Sequence, residues 1–79
     1  MKLAEALAGQ KLLVRNKTSG EVSVHYPKLN ERGEWQIANQ VVGPFQLVDL
    51  TSLIPMTSLR RSPNLVSLVN NGHLDVVAG

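Results

Sequence analysis

Turn-forming residues interrupt this chain so often that no apolar segment has room for a long element, and the joins between segments are too short for a parallel crossover. Asn16-Lys17-Thr18-Ser19-Gly20, Asn30-Glu31-Arg32-Gly33 and Gly43-Pro44 are the main interruptions. Four segments between and around them have strand character. Lys11 to Arg15 is a compact apolar run. Glu21 to Tyr26 alternates, with Val22, Val24 and Tyr26 on one face and Glu21, Ser23 and His25 on the other. Those two segments predict a hairpin, and Pro27, which cannot donate to a ladder, predicts the end of its second strand. Glu34 to Ala38 puts Trp35 and Ile37 on one face, and Phe45 to Leu50 resumes as an apolar strand. Antiparallel pairing is the only kind these connections permit.

After Asp49 the punctuation becomes helical. Thr51 or Ser52 is expected to cap a short turn around Leu53 and Ile54, and Asp49 is also read as capping the turn that begins the helical segment. Pro55 suits the first turn of a second piece carrying Met56 and Leu59. Ser62 is a good N-cap, Pro63 fits the first helical position, and Leu65, Leu68 and Val69 form an apolar stripe. Asn70-Asn71-Gly72 then predicts a stop with Gly72 left-handed, so a helix is expected over Pro63 to Asn71. Leu74 to Val77 reads as a last strand returning to an exposed edge. At the other end, Leu3 and Leu7 are spaced for one or two helical turns that Gly9 stops. So short a helix docks on the domain, docks on a neighbour, or frays. The expected organisation is an arm or short helix over 1–9 and a single small β-rich domain over 10–79. Its class is α+β and mostly β: a small antiparallel meander, partly open barrel or sandwich, with a C-terminal helical segment and a final short strand.

A domain of 79 residues buries only about 60% of its unfolded surface and usually needs a staple or a partner. With no cysteine and two histidines, neither disulfides nor an ordinary zinc site is available. Three aromatic residues, Tyr26, Trp35 and Phe45, leave the core to Leu, Val and Ile. A net charge of +2 is too weak to imply nucleic acid by itself. No window approaches the ~20 apolar residues of a membrane span, and MKLAEALAG lacks the hydrophobic run of a leader. A soluble protein of a reducing compartment, with no membrane partner, is the expectation.

The residues assemble into no recognisable catalytic pattern. His25 falls on the polar face of its strand, and His73 follows Gly72 at a helix end, where the dipole favours an imidazolium. Glu31 and Glu34 flank a turn, as solvated acids commonly do. No phosphate-cradling glycine motif and no strained nucleophile turn occurs. Asn16-Lys17-Thr18 fits the glycosylation triplet, a pattern frequent by chance. The chain is therefore read as a non-enzyme, without cofactor, metal or catalytic residues.

Binding is the remaining class. Lys11, Arg15, Lys17, Lys28 and Arg32 lie along or beside the strands, where Tyr26 and Trp35 could stack on bases as in small barrels. Tyr26 and Trp35, however, are assigned to the alternation phase of Val22, Val24 and Ile37, which reads as core. Arg60-Arg61 precedes a helix N-cap and either grips a phosphate or carboxylate on a partner or is simply solvated. Leu3, Leu7, Arg15, Lys17, Arg60 and Arg61 are the candidate partner-binding residues.

The stretch VRNKTSGEVSVHYPKL, the Gly-Pro-Phe entry GPFQLVDLTSL and the tail LRRSPNLVSLVNNGHLDVV together resemble small virion structural proteins of tailed bacteriophages: head decoration, head or neck components. The likeness runs from Val14 to Val77 and is one of layout. It implies a non-enzymatic β domain that acts in many copies within a virion assembled in the host cytoplasm. The implied partners are a major capsid or head–tail connector protein and further copies of the same chain. Two alternatives stand beside it, a small single-stranded nucleic-acid-binding β-barrel and a small inhibitor or adaptor of a host protein.

Overall fold

The short alternating segments fold into two open antiparallel sheets, with the helical pieces packed between and beside them. The computed structural model describes residues 2–78. In chain order the elements are α1 (Leu3–Leu7), β1 (Leu13–Asn16), β2 (Val22–Leu29), β3 (Trp35–Val42), β4 (Leu47–Asp49), a 3-10 turn (Leu50–Ser52), α2 (Met56–Leu59), α3 (Pro63–Asn70) and β5 (Leu74–Ala78). One sheet has the order β4-β1-β5, and the other is the β2-β3 ribbon. The class is α+β and mostly β, with the C-terminal strand returning to pair with β1, as expected.

The expected β1–β2 hairpin is not formed. Both sides of β1 are taken, by β4 (Val14 opposite Val48) and by β5 (Val14 opposite Val76), so β2 pairs with β3 alone. The residues between them explain the turn-away. Asn16 Oδ1 accepts from the Thr18 N–H and hydroxyl, each at 2.8 Å, which curls the chain immediately after β1. The Thr18 carbonyl then accepts from Phe45 N–H at 3.2 Å, tying this loop to the β3–β4 turn instead of leading it back along β1.

Pro27 does not end β2, which continues to Leu29. His25 points its N–H and carbonyl away from β3, and Pro27, two residues on, has the same orientation. Its missing donor is thus never required by the ladder. The outward edge of β2 is nevertheless occupied: Asn64 Oδ1 accepts from His25 N–H at 2.8 Å, and Ser62 Oγ donates to the His25 carbonyl at 2.5 Å. The start of α3 therefore seals this edge.

Ser62 also caps α3 by accepting from Leu65 N–H at 3.1 Å. At the other end Gly72 has φ +79°. His73 N–H donates to the Leu68 carbonyl and Gly72 N–H to the Val69 carbonyl, at 2.9 and 3.1 Å, the paired bonds of a Schellman stop. The helix expected at Pro63 is thus present, one residue shorter at its end. Asp49, not Thr51 or Ser52, caps the 3-10 turn, and Pro55 stands just outside α2.

The inward faces of both sheets supply Val14, Leu74, Val76, Val22, Val24, Tyr26 and Val42, and the helical segments add Leu50, Ile54, Leu59 and Leu65. As composition required, this core is aliphatic except for Tyr26. Each fully buried Leu or Ile contributes about 1.5–3 kcal/mol relative to exposure. The first segment docks on its own domain: Ala6 is buried, and Leu3 and Leu7 pack against the core. Arg60 fixes its end, donating from Nε to the Leu7 carbonyl at 2.6 Å and from Nη2 to the Gly9 carbonyl at 3.0 Å.

Candidate functional site

The β2–β3 ribbon is closed by Asn30, whose side-chain oxygen accepts from the N–H groups of Arg32 and Glu34, both at 2.9 Å. Gly33, at φ +76°, supplies the left-handed residue of this turn. The resulting register pairs Leu29 with Trp35, Pro27 with Ile37, His25 with Asn39 and Ser23 with Val41. These residues share the outward face, while Val22, Val24 and Tyr26 lie opposite Val42, Gln40 and Ala38 on the inward one.

Trp35 and Ile37 are accordingly not core residues. They are 56% and 75% exposed, and with the exposed Leu29 and Val41 they make an apolar outer face on the ribbon. Trp35–Val42 contains no Lys, Arg, Asp or Glu. Among the described residues β3 pairs on one side only, so its far edge presents the N–H and carbonyl groups of residues 35, 37, 39 and 41. Among the described residues only the Gln40 amide reaches round to this edge, donating to the Val41 carbonyl at 3.1 Å. Natural sheets usually guard such an edge with charge, proline, a bulge or a covering element. Among the described residues the β2 edge is covered in this way and the β3 edge is not.

Trp35 also forms the lip of a second feature. Between β2 and the chain leading into α2 lies a cleft of about 320 Å³, its walls including Tyr26, Lys28, Leu29, Trp35, Leu53 and Pro55. The Arg61 guanidinium stacks over the indole, 5.1 Å from the ring centre. At the far end of the ribbon, the turn from Gly43 to Gln46 carries Phe45 at φ +56°. It is closed by Gln46 N–H to the Gly43 carbonyl (3.1 Å) and by Gly43 N–H to Gln46 Oε1 (2.7 Å). A left-handed conformation is unusual for a bulky residue and costs about 1–2 kcal/mol, yet Phe45 is 58% exposed. Residues held in such sparsely populated conformations cluster at functional sites, which makes Phe45 a candidate contact residue.

The candidate residues named from sequence fall on separate elements. Leu3 and Leu7 line a shallow apolar groove with Val66 and Val69 while packing against the core. Arg60 joins Leu7, but through the hydrogen bonds that hold α1 in place. Arg61 lies on Trp35. Arg15 and Lys17 are exposed on β1 and in the turn after it, with Arg15 between Leu47 and Asp75 in register. Sequence reasoning placed Trp35 and Ile37 in the core and did not single out Val41 or Phe45, whereas all four side chains are exposed. The signal that could have found Trp35, Ile37 and Val41 is the neutrality of β3, which does not extend to Phe45 in the turn beyond it.

Two polar groups have structural tasks. Asn16, wholly buried, donates its amide to the carbonyls of Gly20 (2.8 Å), Val42 (3.2 Å) and Gly43 (2.9 Å). A side chain so enclosed is inaccessible to a glycosylating enzyme. Asp49 accepts from the Thr51 hydroxyl and from Thr51 N–H at 3.0 Å. The hydroxyl bond chiefly, with the Thr51 N–H and the nearby Lys11, lowers the Asp49 carboxyl below its ordinary range against a smaller opposing effect of desolvation.

Among the described residues, no group of three or more His, Cys, Asp or Glu side chains is placed to hold a metal ion. No described helix is long and apolar enough to cross a membrane. Comparison with protein families, with curated proteins and with solved structures found no match to this chain.

Proposed function

We propose that this chain is a non-enzymatic assembly protein, a small structural component of a tailed-bacteriophage virion that docks on a capsid, neck or tail protein through the β2–β3 ribbon. The observation that carries the docking role is the uncharged, unpaired edge of β3 beneath an apolar outer face. Such an edge offers a partner strand main-chain hydrogen bonds, and its alternate side chains supply specificity. The virion setting rests on the sequence resemblance alone. The test is co-expression with the capsid and neck proteins encoded beside this gene. Co-elution that survives moderate salt and is lost in Ile37→Lys supports the reading. Genes of unrelated function as neighbours, or no co-elution with any virion protein, defeats it.

One observation favours a second reading, single-stranded nucleic-acid binding. Trp35 is exposed, with Arg61 on its ring and Lys28 in the same cleft. Stacking of a base on such a platform is sequence-tolerant, and the phosphate contacts make binding salt-dependent. Titration against single-stranded DNA at two salt concentrations separates the readings: binding that weakens steeply with salt favours the second, and no salt-sensitive binding removes it.

A further inference from the structure

We infer that the β3 edge is occupied by the β3 edge of a second copy, giving an antiparallel β2-β3-β3′-β2′ sheet across a two-fold axis. This rests on the reading of the ribbon as the docking surface and names its first occupant.

The register follows from the backbone. Residues 35, 37, 39 and 41 turn their N–H and carbonyl groups away from β2, so only these can bond across the new edge. A two-fold interface requires that if one residue meets another, the reverse also holds. The arrangement that uses all four on both chains is centred on Ala38. Trp35 then faces the second copy's Val41, and Ile37 faces its Asn39, each as a mutually hydrogen-bonded pair. Gln36 faces Gln40 and Ala38 faces Ala38 in the intervening pairs.

Every one of those cross-strand pairs is compatible. Like charges directly opposite one another are what usually forbids self-pairing, and Trp35–Val42 carries none. Opposed residues share a face, so Trp35, Ile37 and Val41 of both copies lie on one surface with Asn39 of each copy among them, and Leu29 extends its apolar part on each side. On the other face the small Ala38 pair lets the backbones approach without a clash. The Gln40 amide that now satisfies the Val41 carbonyl is displaced by a main-chain donor.

The experiment is sedimentation equilibrium of the purified chain from about 1 μM to about 1 mM, a span that covers dimers of ordinary affinity. It is paired with residue-resolved amide exchange at both ends of that range. A monomer–dimer equilibrium is expected, with the amides of Ile37, Asn39 and Val41 gaining protection as concentration rises. Ile37→Lys, which sets an ammonium on each side of the axis, should weaken the dimer at least tenfold while leaving the monomer folded. Asn39→Pro removes only an outward N–H and should do the same; if it fails to fold, Ile37→Lys decides alone. A monomer throughout the range overturns the inference, as does a dimer whose protected amides lie elsewhere or one that Ile37→Lys leaves intact. Co-elution of a strictly monomeric chain with a virion protein would overturn self-pairing and keep the docking role. A β3-paired dimer that binds no virion protein would do the reverse.

Discussion

Asn16 sits where β1 ends, fully buried, and a buried amide is tolerated only with its donors and acceptor engaged. All are: three carbonyls around the nitrogen, and Thr18 at the oxygen. These partners belong to the β1–β2 loop and to the end of β3, so one side chain joins the two sheets. Asn16→Ala removes the bonds to all three carbonyls, leaving the Gly20 carbonyl only the Thr18 hydroxyl, and should lower stability by about 3 kcal/mol, read as a reduced denaturant midpoint. Asn16→Asp is no remedy, since a carboxylate cannot donate to the three carbonyls. Asp49 gives a pH signature. Its folded pKa is depressed by Thr51, so its contribution is complete above the unfolded carboxyl value of about 3.9 and is lost as the pH falls through the lower folded value. Asp49→Asn should therefore be less stable than the parent at neutral pH, with the gap narrowing on acidification. A gap that stays constant with falling pH would refute the assignment. The capping role of Asp49 was legible in sequence because it is local. The role of Asn16 was not, since its partners at Val42 and Gly43 are distant along the chain.

At the scale of elements, the instructive case is the ribbon turn. A four-residue turn over Asn30-Glu31-Arg32-Gly33 would set Ile37 opposite Tyr26 and Trp35 opposite Lys28, burying both apolar residues. Instead Asn30 bonds Glu34 (N–H to carbonyl, 2.8 Å), and Leu29 meets Trp35. One residue of register turns the whole strand over, because side chains alternate with a period of two. The strands were readable in sequence, but the face that β3 buries was not. Helix ends were more legible: Ser62, Pro63 and Gly72 act through chemistry within a few residues. Gly72→Ala should destabilise by about 1–2 kcal/mol, because a Cβ at φ +79° clashes with its own backbone although the surrounding space is open. Phe45 gives the opposite expectation. Phe45→Gly relieves its left-handed strain, so thermal stability should hold or rise by up to about 1 kcal/mol. If the turn exists to present the ring, the same substitution weakens partner binding; unchanged binding would make the ring dispensable.

At the scale of the molecule, the pairing of β1 with β4 and β5 defeats a reading built on neighbouring segments. Turn signals favour sequential hairpins, whereas β1 meets a strand from the far end of the chain. Only the competition among all strands for the two sides of β1 decides this. The same competition leaves β3 with one neighbour and places three apolar side chains of a small protein in water. A domain of this size has little burial to spare, so ligation of that surface should be visible as stability. If two copies pair through β3, unfolding is coupled to dissociation, and a hundredfold rise in concentration above the dimer range adds about 1.4 kcal/mol per chain. For a domain of this length that raises the melting temperature by several degrees, roughly 5–10 °C. Trp35 is the sole tryptophan, is exposed, and would stand in that interface. Its emission should shift to the blue over the same concentrations, as the indole leaves water. Ile37→Lys should abolish both effects together, because a dimer held elsewhere would keep its melting temperature dependent on concentration while leaving the Trp35 signal unmoved.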